Sequence, residues 1–466
     1  MSTRDWLVRT LAGAAVVGLL LGGCGGGGVG SGGTGMASGA TQGTVSGFGS
    51  VIVDGERFDD GAVATFAETA PGVRSQTEAR LGSRVELEAD AGRVLELRVE
   101  AALVAAVERV EAGALVALGQ TVRVNADAAR GPVTQFGGGY AGLTSVRAGD
   151  AVEVHAFVVR TPLGHELQAT RIERLAALPD YLKLSGPVRD VDAAGFGIGA
   201  LRVLSAGAVV LPAGATLSEG RLVSVLAPAA SLAGAALHAA QVRVRELGQS
   251  GEEVAVSGVI GGLQAGVARF DLAGTTIDAA AADLRPKGTV LADGLYVQAR
   301  GRLRADGTLR AATVRVRDDR AEAELKGTVV GFDSATQRFQ VRGVEVDASG
   351  AEFEGCPAGG LAQGQFVELQ GRLGPTGVIA RSVHCEDEPA DAVVERQGVA
   401  GSVDPAARRF VLTLEGGGTL AVQWSELTYF EGMSAAELDG RRVEVEGRLA
   451  DGVMQARKIE REPAGD

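Results

Sequence analysis

A glycine, two variable residues and a valine opening an alternating stretch recur six times: Gly82-Ser-Arg-Val85, Gly149-Asp-Ala-Val152, Gly220-Arg-Leu-Val223, Gly294-Leu-Tyr-Val297, Gly364-Gln-Phe-Val367 and Gly440-Arg-Arg-Val443. The intervals are 67, 71, 74, 70 and 76 residues. Recurrence at a near-constant interval means one small folding unit copied in tandem, so any role must suit an array rather than one large pocket. Reading outward from each phrase gives repeats at 43–100, 101–178, 180–248, 252–319, 322–388 and 392–462.

The repeats define the unit in more detail when read against one another. Units four to six open at Gly258, Gly327 and Gly398, each with a phenylalanine 12 residues on: Phe270, Phe339 and Phe410. In unit five, Lys326 to Asp333 and Arg338 to Arg342 are alternating or β-branched and flank the polar turn 334–337, which predicts a hairpin. A third strand is expected at Val344 to Asp347, then an irregular stretch with Gly and Pro, then the Gly-x-x-Val strand. In units four to six that strand carries Gly301-Arg-Leu303, Gly371-Arg-Leu373 and Gly447-Arg-Leu449, where a glycine inside a strand marks a bulge or bend. The closing strand also repeats, as in Leu309-Arg-Ala-Ala-Thr-Val314 and Met454-Gln-Ala-Arg-Lys-Ile459; its step of three from alanine to the last apolar residue predicts a local change of face. Helical periodicity is confined to single turns such as Ser434 to Leu438.

Five short strands per unit predict an all-β chain: a tandem array of about six small five-stranded antiparallel barrels of the oligonucleotide/oligosaccharide-binding (OB) kind. An open five-stranded sheet leaning on its neighbours is the alternative. Hydrophobic residues make up 45% of the chain but aromatics only 4%, so each unit's interior is expected to be aliphatic. Units this short bury only about 60% of their unfolded surface, so contacts between units are expected to contribute.

The N-terminus predicts a compartment. Arg4 and Arg9 precede an apolar run from Leu11 to Leu21, followed by Gly22-Gly-Cys24. This is the layout of a signal peptide over 1–23, and the run is well short of the about 20 apolar residues that cross a bilayer. Leu20-Leu-Gly-Gly-Cys24 resembles the lipobox of bacterial lipoproteins, which implies lipidation of Cys24; Gly at 25 implies, by resemblance to sorting rules, the outer membrane. Residues 24–42 then read as the lipidated Cys and a Gly-rich linker with an r.m.s. reach of roughly 25 Å. The expected setting is a lipid-anchored body in the cell envelope, facing the periplasm or the surface.

Gly43-Thr-Val-Ser-Gly-Phe-Gly-Ser-Val-Ile-Val-Asp-Gly-Glu-Arg-Phe-Asp59 resembles the opening of the DUF5666 domain, a bacterial domain of unknown function found in tandem in envelope proteins, many with lipoprotein signals. The resemblance extends over most of the chain after residue 43, through Gly-x-x-Val and the closing strand, and loosens in unit three at Gly186-Pro-Val188 and Ser224. It implies no catalytic residues. Within the quoted segment, Asp54-Gly55 between Val-Ile-Val and Arg-Phe predicts a tight hairpin turn.

Candidate sites are few. Cys356 and Cys385 fall together in unit five, and in an oxidising envelope they predict a disulfide closing a loop of about 30 residues, a constraint of roughly 3 kcal/mol. A metal site from Cys356, His384, Cys385 and Glu386 or Asp387 is the competing idea, disfavoured because neighbours on a strand face opposite ways. Gly137-Gly-Gly-Tyr-Ala-Gly142 has glycine spacing reminiscent of dinucleotide loops but no strand-to-helix context, so it reads as a loop whose Phe136 and Tyr140 either anchor it in the core or contact a ligand. The acid pairs Asp59-Asp60, Asp318-Asp319 and Glu386-Asp-Glu388 lack calcium-loop spacing. His155, His165, His238 and His384 are scattered, and no Gly-x-Ser-x-Gly elbow accompanies them. The net charge of -13 argues against a counterion-driven affinity for nucleic acid. The expectation is therefore a non-catalytic envelope lipoprotein without cofactors or metal, whose repeats serve as a structural or protein-interaction array; the alternative is an array binding oligosaccharide, peptidoglycan or another small ligand.

Overall fold

The computed structural model describes residues 39–61, 63–317, 322–358, 360–388, 392–414 and 417–462. The signal peptide, Cys24, nearly all of the expected linker and the Asp318-Asp319 pair lie outside the described residues. Linker residues 39–42 do not belong to a coil: they open the first strand, Gly39–Phe48, and pair with Glu86 to Ala89.

The described chain is all β, with helical character limited to three-residue 3₁₀ turns such as Ala435–Glu437, where Ser434 and Glu437 form a capping box. Module five shows the pattern. Its first strand (Glu322–Thr328, continued as Val330–Asp333) pairs antiparallel with both the second (Arg338–Val341) and the fourth (Phe366–Leu373). The second pairs with the third (Val344–Asp347), which runs parallel to the fifth (Gly377–Glu386), and the fifth returns antiparallel to the fourth. Alternation explains why these segments are strands: Phe339, Val341 and Val346 are buried while Arg338 and Glu345 beside them are exposed. The conserved-interval phenylalanines Phe270, Phe339 and Phe410 are all buried, each contributing on the order of 2 kcal/mol by leaving water. Equivalent pairings connect the strands of modules two, four and six. In module one the third and fifth strands meet parallel at a single bridge, Asp59 to Arg93. The Asp54-Gly55 turn has positive φ at both residues, 48° and 75°, the backbone that a two-residue hairpin turn requires.

The stretch expected to be irregular holds a sixth short strand in every module, lying parallel to the end of the fifth: Thr65–Ala70, Gln135–Gly137, Val209–Leu211, Asp283–Arg285, Glu352–Glu354 and Tyr429–Glu431. At two to three paired residues it is below the length at which alternation can announce a strand.

The glycines of the fourth strand sit at bulges, as their sequence context predicts. Gly301, Gly371 and Gly447 pair with Ala311, Ala380 and Ala456, whereas the residues before them pair with Thr313, Ser382 and Lys458, leaving one extra residue in each closing strand. That extra residue is the origin of the step of three. A Cβ on Gly447 would lie 2.2 Å from the Gln455 carbonyl oxygen, so close approach, not φ, selects glycine there.

The expectation of separate modules, each with its own interior, fails. The strands gather into sheets of 20, 11, 6 and 5, and the two largest cross module boundaries. Gly39–Phe48 adds in parallel to module four at Ala40–Val254 and to module five at Gly47–Glu324. Modules two and three share one apolar cluster, modules one and five another, and Phe157 of module two and Phe366 of module five are embedded in the clusters of modules four and six. Aliphatic interiors of this size leave unfinished faces, and neighbouring modules complete them.

Candidate functional site

Module one touches all five others, and a polar contact reaches each of them. Asp54 receives the Tyr296 hydroxyl of module four at 2.6 Å, and Glu56 accepts two bonds from Arg300 at 2.8 and 2.7 Å. Glu68 accepts from Gln241 and Arg243 of module three, each at 2.9 Å. The Arg84 amide donates to Nδ1 of His155 in module two at 3.3 Å, and Arg57 pairs with Glu324 of module five. Asp60 lies 2.8 Å from Arg457 of module six.

Modules one, two, five and six meet around a cavity of about 700 Å³ whose wall includes Glu78, Arg80, Arg342, Glu444 and Lys458. Its cations are consumed by its own acids. Lys458 lies 3.0 Å from Glu78, 2.8 Å from Glu431 and 2.7 Å from Glu460; Arg80 reaches Glu173 at 3.3 Å and also pairs with Glu431. Burial works against the Lys458 charge, but Glu78 and Glu431 hold its pKa well above the usual lysine value. Such mutual neutralisation joins modules without leaving a free anion site. Glu444 is different: burial, with Glu460 and Glu462 nearby, pushes its carboxyl up to about 7 despite a 2.8 Å bond from Gln397.

Beneath this wall lies a second charged group. Arg342 of module five donates to Glu446 of module six at 3.0 Å, and both side chains are almost fully buried. Glu446 stands opposite Glu395 on the neighbouring strand. Glu395 is 3% exposed, and neither of its carboxyl oxygens has a hydrogen-bond partner. Burial, then Glu444 and Glu446, raise its pKa well above the carboxylate range. Sequence reasoning missed Asp60, Glu395, Glu446 and Arg457 as a group. Asp60 belongs to an acid pair whose spacing does not mark it as buried, and Glu395, Glu446 and Arg457 sit among other polar residues of their strands as surface positions would; Arg457, the bulged residue, stays partly exposed and reaches Asp60.

The sequence-predicted residues separate. Cys356 and Cys385 form a disulfide with Cα atoms 4.8 Å apart. The thiols are thereby unavailable to a metal, and His384 is exposed with its ring 3.8 Å from Glu354. Phe136 and Tyr140 do not form an exposed stacking platform: both are buried in the cluster shared by modules two and three, Phe136 on a strand rather than a loop, with its amide donating to the Pro375 carbonyl of module five at 2.7 Å. The Tyr140 hydroxyl donates to Asp150 at 2.7 Å. The Gly137-Gly-Gly segment between them turns against the Arg174 backbone, where a Cβ on Gly138 would lie 2.3 Å from the carbonyl oxygen. His155 is buried, with Nε2 3.1 Å from Glu153. Its hydrogen bonds are spent on a backbone amide and a carboxylate, which orients strands rather than activating a nucleophile. Among the described residues no group of three or more His, Cys, Asp or Glu is placed to hold a metal ion.

The family model described as "Domain of unknown function (DUF5666)" matches residues 104–173, 257–315, 326–384 and 397–460, together more than half of the chain. The matched segments fall in modules two, four, five and six; module one, whose opening carries the sequence resemblance, lies outside them, as does module three. No curated protein matches the chain. Among solved structures, CusF-Ag(I) from Escherichia coli is similar at 12% identity, over 16% of this chain and 100% of that one, with a TM-score of 0.14. Drosophila Unr CSD456 is similar at 12% identity, over 45% of this chain and 98% of that one, also with a TM-score of 0.14.

Proposed function

The chain belongs to the DUF5666 family, and from that premise we propose that it is a non-catalytic lipoprotein of the bacterial cell envelope, held by lipid on Cys24 to the outer membrane and acting as a structural or protein-interaction body in the periplasm. In this reading each module is a small closed OB-like barrel, supported by the pairing circuit from first strand to second, third, fifth, fourth and back to first. The six barrels act as one body. The observation that carries the reading is the fate of the convergent ionisable groups: Arg80, Arg457 and Lys458, each from a module junction, are neutralised by acids of neighbouring modules, an arrangement that fixes modules relative to one another. A catalytic site would instead leave a nucleophile and base poised toward open space.

The test has two arms. Palmitate labelling and envelope fractionation should place the wild-type chain in the outer membrane and leave Cys24→Ser unlabelled; a labelled variant overturns the anchor. Limited proteolysis should release residues from about 39 onward as a single resistant fragment; a ladder of fragments near 70-residue spacing overturns the one-body reading.

The cavity between modules one, two, five and six favours a second reading, binding of a small polar ligand such as a peptidoglycan fragment. Saturation-transfer NMR with muropeptides tests it: transfer lost on Glu444→Gln supports that site, and no transfer removes it.

A further inference from the structure

Glu395 is the one acidic side chain described above that is both deeply buried and without any hydrogen-bond partner on either oxygen. It sits where module six meets module five: its backbone amide donates to the Thr328 hydroxyl of module five at 3.3 Å, and Thr328 is itself buried. The charged groups around it are accounted for. Glu446 and Glu444 face it from the paired strand Arg442–Ala450. Arg342 approaches from module five, donating through one guanidinium nitrogen to Glu446 and turning its backbone amide toward Glu395; both favour the charged carboxylate, but burial with Glu444 and Glu446 outweighs them. Arg457 and Asp60 lie behind Glu446 and pair with each other. Arg396, next along the same strand, is turned toward Glu388 and Thr328.

The group therefore balances only while Glu395 is neutral. Arg342 and Arg457 match Glu446 and Asp60, and an ionised Glu395 is a fifth charge with no cation left. A buried carboxylate without a partner is far costlier than a buried neutral carboxyl.

We propose that the junction of modules five and six is a pH-operated latch, closed while the buried carboxyl of Glu395 is protonated and loosened when its ionisation sets an unpaired negative charge against Glu446 and Glu444. The direction follows from linkage. A carboxyl whose pKa is higher in the folded than in the unfolded chain favours the folded junction at low pH; this preference is lost as pH rises from the unfolded value toward the folded one. Glu444, pushed up to about 7, adds its charge to the same side of the junction over the neutral range. The latch is independent of what the body binds, so it stands or falls separately from the function proposed above.

Hydrogen exchange of the full chain in detergent, corrected for intrinsic rates, reads it directly. Between pH 6 and 9, amides of Glu322–Thr328 and Val393–Asp404 should progressively lose protection relative to module four, by about tenfold for each pH unit beyond the onset. Glu395→Gln should abolish that excess. Glu444→Gln, at a partly exposed position that tolerates change, should move its onset to lower pH, because one repelling charge is gone. Uniform exchange across modules overturns the proposal, as does an unaltered excess in Glu395→Gln, or its disappearance in Glu444→Gln, which would assign the switch to the wrong carboxyl.

Discussion

The Tyr296 hydroxyl donates a 2.6 Å hydrogen bond to Asp54 across 242 residues of sequence, and both residues are buried. The second oxygen of Asp54 accepts from the Thr44 amide at 3.0 Å, so this carboxylate serves its own hairpin turn and module four at once. Tyr296→Phe keeps the ring packed against Phe157, 5.9 Å away, but leaves a buried carboxylate oxygen unpaired. The expected loss is about 1–3 kcal/mol in urea unfolding. Asp54→Ala, which also strips the turn, should cost more; equal effects would mean that the inter-module bond carries all of it.

The strand plan of a module was legible because it rests on local chemistry. Alternation places Phe339, Val341 and Val346 inward, Asp54-Gly55 can hardly be anything but a tight turn, and the step from Ala456 to Ile459 records a bulge. The disulfide was readable from the few cysteines. What the sequence hid was the packing of modules. Tyr296 and Asp54, or Arg457 and Asp60, each look like ordinary strand or turn residues in their own repeat, and the pairing exists only when distant modules meet. The choice between core anchor and ligand contact for Phe136 and Tyr140 was hidden for a related reason: two aromatics flanking glycines are equally compatible with a platform and a buried anchor, and the approach of Pro375 from module five favours the anchor.

The Cys356–Cys385 bridge closes a loop with a sequence separation of 29. In the chain-entropy description this restricts the unfolded chain by about 3 kcal/mol. The Cys356→Ala/Cys385→Ala double variant should lose that much in urea unfolding, and dithiothreitol should bring the wild-type curve onto the variant's while leaving the variant's unchanged. An effect of reductant on the variant would show that something other than this bridge is being reduced.

Acid should attack the contact between modules one and six. Asp60 is buried, which disfavours its charge, yet Arg457 and Arg342 hold its carboxyl below the ordinary value of 3.8. A depressed folded pKa stabilises the folded form above the unfolded value, and this contribution disappears as pH falls through the lower folded one. Asp60→Asn leaves the partly exposed Arg457 with only Glu446 at 3.9 Å, an expected loss of about 1–3 kcal/mol at pH 7. The gap between variant and wild type should close as pH falls from 3.8 toward the lower folded value and the wild-type carboxyl protonates. A gap constant across that range would mean that Asp60 contributes shape rather than charge.

Gly447 sets the bulge that turns Arg457 inward. Its φ is not in the left-handed region, so an alanine there faces one problem, the contact of 2.2 Å between its Cβ and the Gln455 carbonyl oxygen. Module two shows how far the backbone can yield, because its bulge carries Ala156 at the corresponding place, paired with Ala169. Gly447→Ala should therefore fold, at a cost in the overpacking range of about 1–3 kcal/mol. The displaced segment includes Lys458, opposite Glu446, and the bulged Arg457, so the damage should not stay in module six: exchange should rise at Asp60 of module one, which Arg457 holds. The converse change, Ala156→Gly, removes no contact of this kind and should cost no more than about 1 kcal/mol, the flexibility penalty of a strand glycine. If Gly447→Ala loosened only its own two strands, the bulge would be a device for closing a barrel; spread to Asp60 would make it part of what joins the modules.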